Sequence, residues 1–338
     1  MSRSWRTSEV SLDSEPFLES SSVVQRKKPG LQSYKSLSLA AGVLIVTVVL
    51  LVVASVFLRG AQYSLLPQSA DSSPKEDSVL PESPSGIPIS TEKAAVIVEN
   101  RPLQNLIPII LHFSSVLGPE WPIHVFTSKE NMHIFSDSKP FQRNVERGRF
   151  QVRPLPDDET LSSHASVSAF FSKPWFWEQM APAEHLLMFQ ADSILCSRAP
   201  QKVEDFLEYD FVGAPIRGDL GKGYNGGLSI RNRTMCLEIT SNYDWQVERH
   251  GDHSEGNVDY EDQWFCKKIR EFPGSHLPDP DVAMKFSVET IWYEKPLGYH
   301  QPNMWQGDHM AEIYNWCPEY RMCTTETFTD HNTEDFSQ

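Results

Sequence analysis

Residues 185–196 read His185-Leu186-Leu187-Met188-Phe189-Gln190-Ala191-Asp192-Ser193-Ile194-Leu195-Cys196, and this stretch decides the fold. Leu186 to Phe189 predicts a short strand buried on both faces. A polar break, Gln190 to Ser193, follows at once, and Ile194-Leu195 is a second apolar segment. Continuous apolar strands of this kind belong to parallel sheets covered by helices. Such sheets bind ligands in the crevice at the carboxyl ends of their strands. Asp192 therefore stands where a carboxylate can hold a divalent cation against a phosphate. The blander use of an aspartate here is as a turn or helix-cap residue.

The surrounding pattern repeats strand and helix. Ala94 to Val98 is a strand that ends at Glu99-Asn100-Arg101, and Leu103 to Leu117 has helical spacing with Pro108 inside it. Ile123 to Phe126 and Phe150 to Val152 are further strands, and Ser166 to Met180 predicts a helix in two pieces around Pro174. Phe206 to Gly213 follows the central strand. The alternation predicts an α/β fold, a mostly parallel sheet covered by helices.

Upstream the composition changes. Residues 1–36 are rich in Ser, Glu, Arg and Lys and read as a disordered tail. Leu37 to Leu58, LSLAAGVLIVTVVLLVVASVFL, carries no charge and is about the ~20 residues that cross a hydrocarbon core. Arg26, Lys27, Lys28 and Lys35 precede it, and only Arg59 stands close behind. The positive side stays cytosolic, so a single-pass type II anchor is expected, with the C-terminal bulk lumenal or extracellular. Residues 59–92 are Ser/Pro-rich and suit an extended stem, leaving a globular domain over 93–331.

Beyond the membrane the chain carries 23 basic against 41 acidic side chains. That balance repels nucleic acid, so no nucleic-acid partner is expected. The five cysteines, Cys196, Cys236, Cys266, Cys317 and Cys323, match no zinc spacing. Cys317 and Cys323 are close enough to bridge through a loop, and Cys196, beside a buried strand, is the expected free thiol. Asn232-Arg233-Thr234 is a glycosylation sequon, usable only if its turn is exposed.

Four more blocks can carry chemistry. Gly221 to Ile230, with Asn225-Gly226-Gly227 at its centre, permits close approach of a ligand or makes a tight turn into a strand. It lacks P-loop spacing. Glu261-Asp262 opens a predicted helix, where carboxylates favour the dipole or supply a general base. His300 lies in a Gly/Pro-bounded loop and can complete a Mn²⁺-type site begun by a carboxylate, or be a surface residue. Glu99 and Arg101, at the end of the first strand, meet a nucleotide or pair with each other. His250 and His253 read as solvated, and the aromatics between Phe170 and Trp177 as core.

Taken in order, AVIVENRP, HFSSVLGPEWPIHVFTS, HLLMFQADSIL, YDFVGAPI, YNGGLSIRNR, YEDQWF, FSVE and PLGYHQP resemble an uncharacterised family of GT-A-like glycosyltransferases over about residues 94–303. Tail, anchor, stem and lumenal domain resemble Golgi glycosyltransferases. The resemblance implies a Rossmann-like half that binds a nucleotide-sugar donor with Mn²⁺ or Mg²⁺, and a glycan or glycoconjugate acceptor. By position, Asp192 stands for the metal-binding DxD motif and His300 for a C-terminal metal-touching histidine. Glu261-Asp262 stands for the catalytic acidic residue, Asn225-Gly226-Gly227 for the sugar floor, and Glu99 and Arg101 for the nucleotide side. Ala191 departs from the motif, leaving one carboxylate where DxD has two. That gap keeps open a non-catalytic carbohydrate-binding or chaperone role, whereas a phosphohydrolase would want a denser cluster of carboxylate and His around Asp192.

Overall fold

The computed structural model describes residues 91–249 and 258–325. The expected tail, the membrane span and all but the last two residues of the expected stem lie outside the described residues. So do His250, His253 and the expected end of the domain at 331. Among the described residues no helix is long and apolar enough to cross a membrane.

β1 (Lys93–Val98) leads to α1 (Leu106–Leu117), β2 (Ile123–Thr127), the short helices α2 (Met132–Ser136) and α3 (Lys139–Glu146), and β3 (Phe150–Pro154). Pro108 sits at the third position of α1, in the first turn, where a backbone N–H has no intrahelical partner, so it removes no hydrogen bond. The aromatic-rich segment does fold as two helices. α4 (His164–Phe171) starts at a capping box between Ser163 and Ser166, and α5 (Pro174–Gln179) restarts with Pro174 at its first position.

The two apolar halves of the 185–196 stretch become β4 (His185–Phe189) and β5 (Ser193–Leu195). The strand expected from Phe206 begins only with β6 (Phe211–Pro215). Val203 and Phe206 instead bury the same side of a 3₁₀ turn, which a three-residue apolar spacing suits better than a strand. β7 (Tyr224–Asn232) follows, then α6 (Arg233–Asn242), α7 (Trp245–Glu248), α8 (Glu261–Glu271) and α9 (Pro280–Phe286). β8 (Ser287–Val288), β9 (Gly298–His300), α10 (Pro302–Trp305) and α11 (Met310–Trp316) complete the order.

The central sheet runs β3-β2-β1-β4-β7-β6. β1 is parallel to both β2 and β4, β2 is parallel to β3, and β7 alone is reversed, antiparallel to β4 and β6. Ile97, Leu186, Leu187 and Ile230 are fully buried at its heart, where each such side chain contributes about 1.5–3 kcal/mol. The chain moves outward from β1 through β2 to β3, then returns to place β4 on the other flank of β1. The topological switch therefore lies between β1 and β4, and their carboxyl ends flank the crevice where α/β sheets take ligands. Glu99 follows β1 and Asp192 follows β4.

A second sheet, β5-β9-β8, packs beside it. In its antiparallel register Ser193 faces His300, which brings the histidine to the turn that carries Asp192. The expected cysteine pattern is corrected here. Cys196 is not free but bridges Cys317 across 121 residues, and Cys236, Cys266 and Cys323 are buried thiols. Cys317 and Cys323 flank a 3₁₀ turn, and the fold brings the first of them to the end of β5 instead. Asn232 caps α6 and donates its amide to Asp210 at 2.8 Å, so the sequon asparagine is engaged within the fold.

Candidate active site

Glu99, Arg101, Asp192, Asn225, Gly226, Gly227, Glu261, Asp262 and His300 all line one cavity of about 450 Å³. These nine positions span two hundred residues of sequence, and the switch between β1 and β4 is what gathers them. Of the described side chains lining the cavity, five are carboxylates and one, Arg101, is a lysine or arginine.

The Asp192 turn is built by its neighbours. Ser193 donates its hydroxyl to the carbonyl of Gln190 at 2.7 Å and accepts from the Gln190 amide at 3.1 Å, closing a tight turn. Gln301, in a left-handed conformation, donates its backbone N–H to the Asp192 carbonyl and its side-chain amide to Asp192 Oδ2, both at 2.9 Å. Asp192 Oδ1 is left 3.4 Å from Nε2 of His300, which also lies 3.0 Å from Oε1 of Gln190. The other ring nitrogen, Nδ1, meets Glu289 Oε1 at 2.9 Å. Burial alone would lower the His300 pKa, but the charge and hydrogen bonds of Asp192 and Glu289 outweigh it and raise it to about 10.

This donor set bears on a divalent cation. Among the described residues no three His, Cys, Asp or Glu side chains form a metal-ligating group. Asp192, His300 and the Gln190 amide oxygen converge instead, with Glu289 orienting the imidazole from behind, as carboxylates orient metal-bound histidines. Two oxygens and one imidazole nitrogen suit Mn²⁺ or Mg²⁺ when a substrate's phosphates and water complete the shell. The residues fit the ion.

The glycine run lines the cavity and also makes room for side chains beside it. A Cβ on Gly227 would fall 2.2 Å from His300 Nε2, and one on Gly226 would fall 2.3 Å from Nη2 of Arg231. The glycines thus admit an imidazole on one side of β7 and a guanidinium on the other. Asn225 donates to Glu289 Oε1 at 3.1 Å and accepts from Gly227 N at 2.7 Å, tying the run to the residue that holds His300.

Glu261 and Asp262 open α8, where the helix N-terminus favours negative charge. Their environments separate them. Glu261 is taken up by Arg231 Nη2 at 3.1 Å and the Ser168 hydroxyl at 3.1 Å. Among the described residues Asp262 meets no cation directly and accepts from the backbone amides of Gly226 at 2.8 Å and Gln263 at 2.7 Å. Burial first, and the neighbouring Glu261 charge second, raise its pKa to about 7. A carboxyl group poised near neutrality in a cleft is suited to moving protons.

Glu99 and Arg101 clasp each other, Nε to Oε1 at 2.9 Å and Nη2 to Oε2 at 2.7 Å, while facing the cavity. The ion pair therefore forms, and both residues line the cavity. Sequence reasoning named neither Gln190, Glu289, Gln301 nor Arg231 as a site residue. Each sits inside or next to a block already quoted, and the polar Ser229 and Arg231 alternate with buried Leu228 and Ile230 along β7, the one available signal. Phe170, Phe176 and Trp177 are core residues, and Phe171 also reaches the cavity wall.

A family model described as a protein of unknown function (DUF5672) matches residues 149–300, from β3 to His300. No curated protein matches the chain. Solved structures similar to it include glycosyltransferases. The apo form of GlyE from Streptococcus pneumoniae TIGR4 is 15% identical over 62% of this chain and 54% of its own, with a TM-score of 0.39. TarS 1–349 of S. aureus in complex with UDP is 10% identical over 52% of this chain and 54% of its own, at 0.34. A second TarS 1–349 structure is 13% identical over 67% and 66%, at 0.35. The chain thus spans a little over half of the GlyE chain.

Proposed function

We propose that this protein is a glycosyltransferase that moves a hexosyl or similar group from a nucleotide-sugar donor to a hydroxyl of a glycan or glycoconjugate. The observation that carries the reading is the pairing, in one cavity, of a cation-ready set with a buried carboxyl group near neutrality. The first comprises Asp192, His300 and Gln190, and the second is Asp262. The cavity is rich in carboxylates, and among the described residues its arginine is clasped by Glu99 and His300 by Asp192 and Glu289, so a diphosphate entering it gains from further positive charge. Asp192, His300 and Gln190 would hold a divalent cation, Mn²⁺ or Mg²⁺, and that ion would supply the charge when bound.

The chain's own residues account for the rest. Asp262 takes the proton of the acceptor hydroxyl as that oxygen bonds to the anomeric carbon. The bond from that carbon to the diphosphate breaks, and the nucleoside diphosphate leaves with the electron pair, in an inverting reaction. Glu289 and Gln301 hold His300 and Asp192 in place. Glu99 and Arg101 form the nucleotide side, at the end of β1.

The setting proposed is the Golgi or another secretory membrane, with residues 37–58 as a type II anchor. The long uncharged run and its basic N-terminal flank support this reading, and so does the Cys196–Cys317 disulfide, since such bonds persist in oxidising compartments. A panel of nucleotide sugars, screened on the full chain by thermal shift with and without Mn²⁺, tests the function. A metal-dependent shift with one nucleotide class, absent in Asp192→Ala, is expected. No shift with any donor from folded protein would instead favour a non-catalytic carbohydrate-binding or chaperone protein.

A further inference from the structure

Arg231 is fully buried, yet it keeps its charge, because a guanidinium does not deprotonate in proteins. Its cage is aromatic: the guanidinium carbon lies 4.8 Å from the ring centre of Phe211, 5.6 Å from Phe265, 5.8 Å from Phe171 and 5.9 Å from Trp177. An apolar side chain would pack such a cage without the desolvation cost of a cation. Nε donates to the Ser229 hydroxyl at 3.1 Å, Nη2 bonds Glu261 Oε1 at 3.1 Å, and Nη1 has no hydrogen-bond partner.

The guanidinium also lies directly behind the floor of the cavity. Nη2 is 3.4 Å from the Gly226 carbonyl, and the N–H of the same residue donates to Asp262 Oδ2 at 2.8 Å. Gly226, with no side chain to collide with Nη2, links the cation through its carbonyl to the cavity carboxyl group through its N–H. Two adjacent carboxylates therefore share one buried cation, which engages Glu261 and stands near Asp262.

We propose that Arg231 is a positioning residue for the reaction: acting through Glu261 and Gly226, it neutralises Glu261 and leaves Asp262 to carry the uncompensated negative charge of the pair. The proposal rests on the reading of Asp262 as the base. Without the cation, two buried carboxylates side by side would hold a proton between them, as like charges in a shared site do. Burial and the Glu261 charge push Asp262 up, and Arg231 pulls it down, in keeping with the geometry.

The other groups around Asp262 are accounted for. Cys266 on α8 stays neutral, its thiol raised to about 12 by burial. α4 presents Ser168 and His164, Tyr260 precedes the helix, and Asp192, Glu289 and His300 line the same cavity. None of these is altered in the variants below.

The test uses the full chain with ¹³C-carboxyl aspartate, the Asp262 resonance being the one lost in Asp262→Asn. Its titration midpoint is followed in wild type, Arg231→Met, Arg231→Lys and Glu261→Gln, beside the pH profile of sugar transfer. Arg231→Met should raise the midpoint by about one pH unit or more, Arg231→Lys should return most of it, and Glu261→Gln should lower it. A purely structural arginine predicts no such shift, and an unmoved midpoint in Arg231→Met overturns the proposal. If Arg231→Met does not fold, Arg231→Gln takes its place: a raised midpoint supports the proposal and no change overturns it. The rate profile separately tests the base. A midpoint that moves as stated while the rate limb stays fixed keeps Arg231's hold on Asp262 and removes Asp262 as the base.

Discussion

A Cβ on Gly227 would stand 2.2 Å from Nε2 of His300, so the absence of a side chain at 227 is what lets the imidazole reach the Asp192 turn. His300 cannot give way freely, because Nδ1 is held by Glu289 at 2.9 Å and the ring is almost fully buried. Gly227→Ala should therefore displace the ring and weaken Mn²⁺-dependent donor binding by about tenfold or more. The overpacking itself should cost about 1–3 kcal/mol of stability. Isothermal titration with donor and Mn²⁺, beside a denaturant melt, measures both. Unchanged binding in a destabilised protein would remove His300 from the site.

Glu289 touches no proposed substrate atom, yet its Oε1 takes both His300 Nδ1 and the Asn225 amide. Glu289→Gln keeps the shape but loses the charge that holds Nδ1–H and keeps Nε2 turned to the Asp192 turn. Metal affinity should fall about 10–100-fold, the usual loss for a partner behind a ligating histidine. Mn²⁺ titration by electron paramagnetic resonance reads this directly, and an affinity equal to wild type would make Glu289 a packing residue.

Much of this arrangement was legible in order and little of it in depth. The apolar run at Leu186 to Phe189 announced the central strand because a strand buried on both faces leaves no polar alternation to hide it. The nine candidate positions converge because they lie at strand ends, in the first half of β7 or at the start of α8, around the switch between β1 and β4. What could not be read was pairing across the chain. Cys196 meets Cys317 through the packing of the C-terminal segment onto β5, which local spacing does not encode. Gly226 and Gly227 looked like a surface for a ligand, and only the register of β7 against α8 and β9 shows that they make room for Arg231 and His300.

The disulfide ties the C-terminal segment to the end of β5, and that segment reaches the Asp192 turn. Thr324 donates its backbone N–H to the Ala191 carbonyl at 2.9 Å, and Asn105 bridges the carbonyls of Ala191 and Met322 at 2.7 and 2.8 Å. Replacing Cys196 and Cys317 together by Ala frees a loop of 121 residues in the unfolded chain and should cost about 2–5 kcal/mol. Because Ala191 adjoins Asp192, Mn²⁺ affinity should drop as well. Calorimetry of the double variant against wild type, each with and without Mn²⁺, separates the two effects. An unchanged metal-induced shift would confine the bridge to stability.

Asp262 ties pH to both rate and stability, with opposite signs. As the base it must be ionised, so kcat/KM at saturating Mn²⁺ should rise with pH through about 7 and level off above it. Asp262→Asn should lower transfer by about 10²–10⁴-fold and abolish that limb while donor binding persists. Stability runs the other way. The folded protein holds this proton more tightly than the unfolded chain, whose aspartate titrates near 3.8. The stabilisation is thus fully present below that value and is lost as pH rises through about 7. The asparagine variant has no proton to lose, so its stability relative to wild type should increase from pH 4 to pH 8. Denaturant melts of the two proteins across that range measure the difference. A flat difference would mean that Asp262 ionises in the fold as readily as in water, and the barrier that makes it a base near neutrality would be absent.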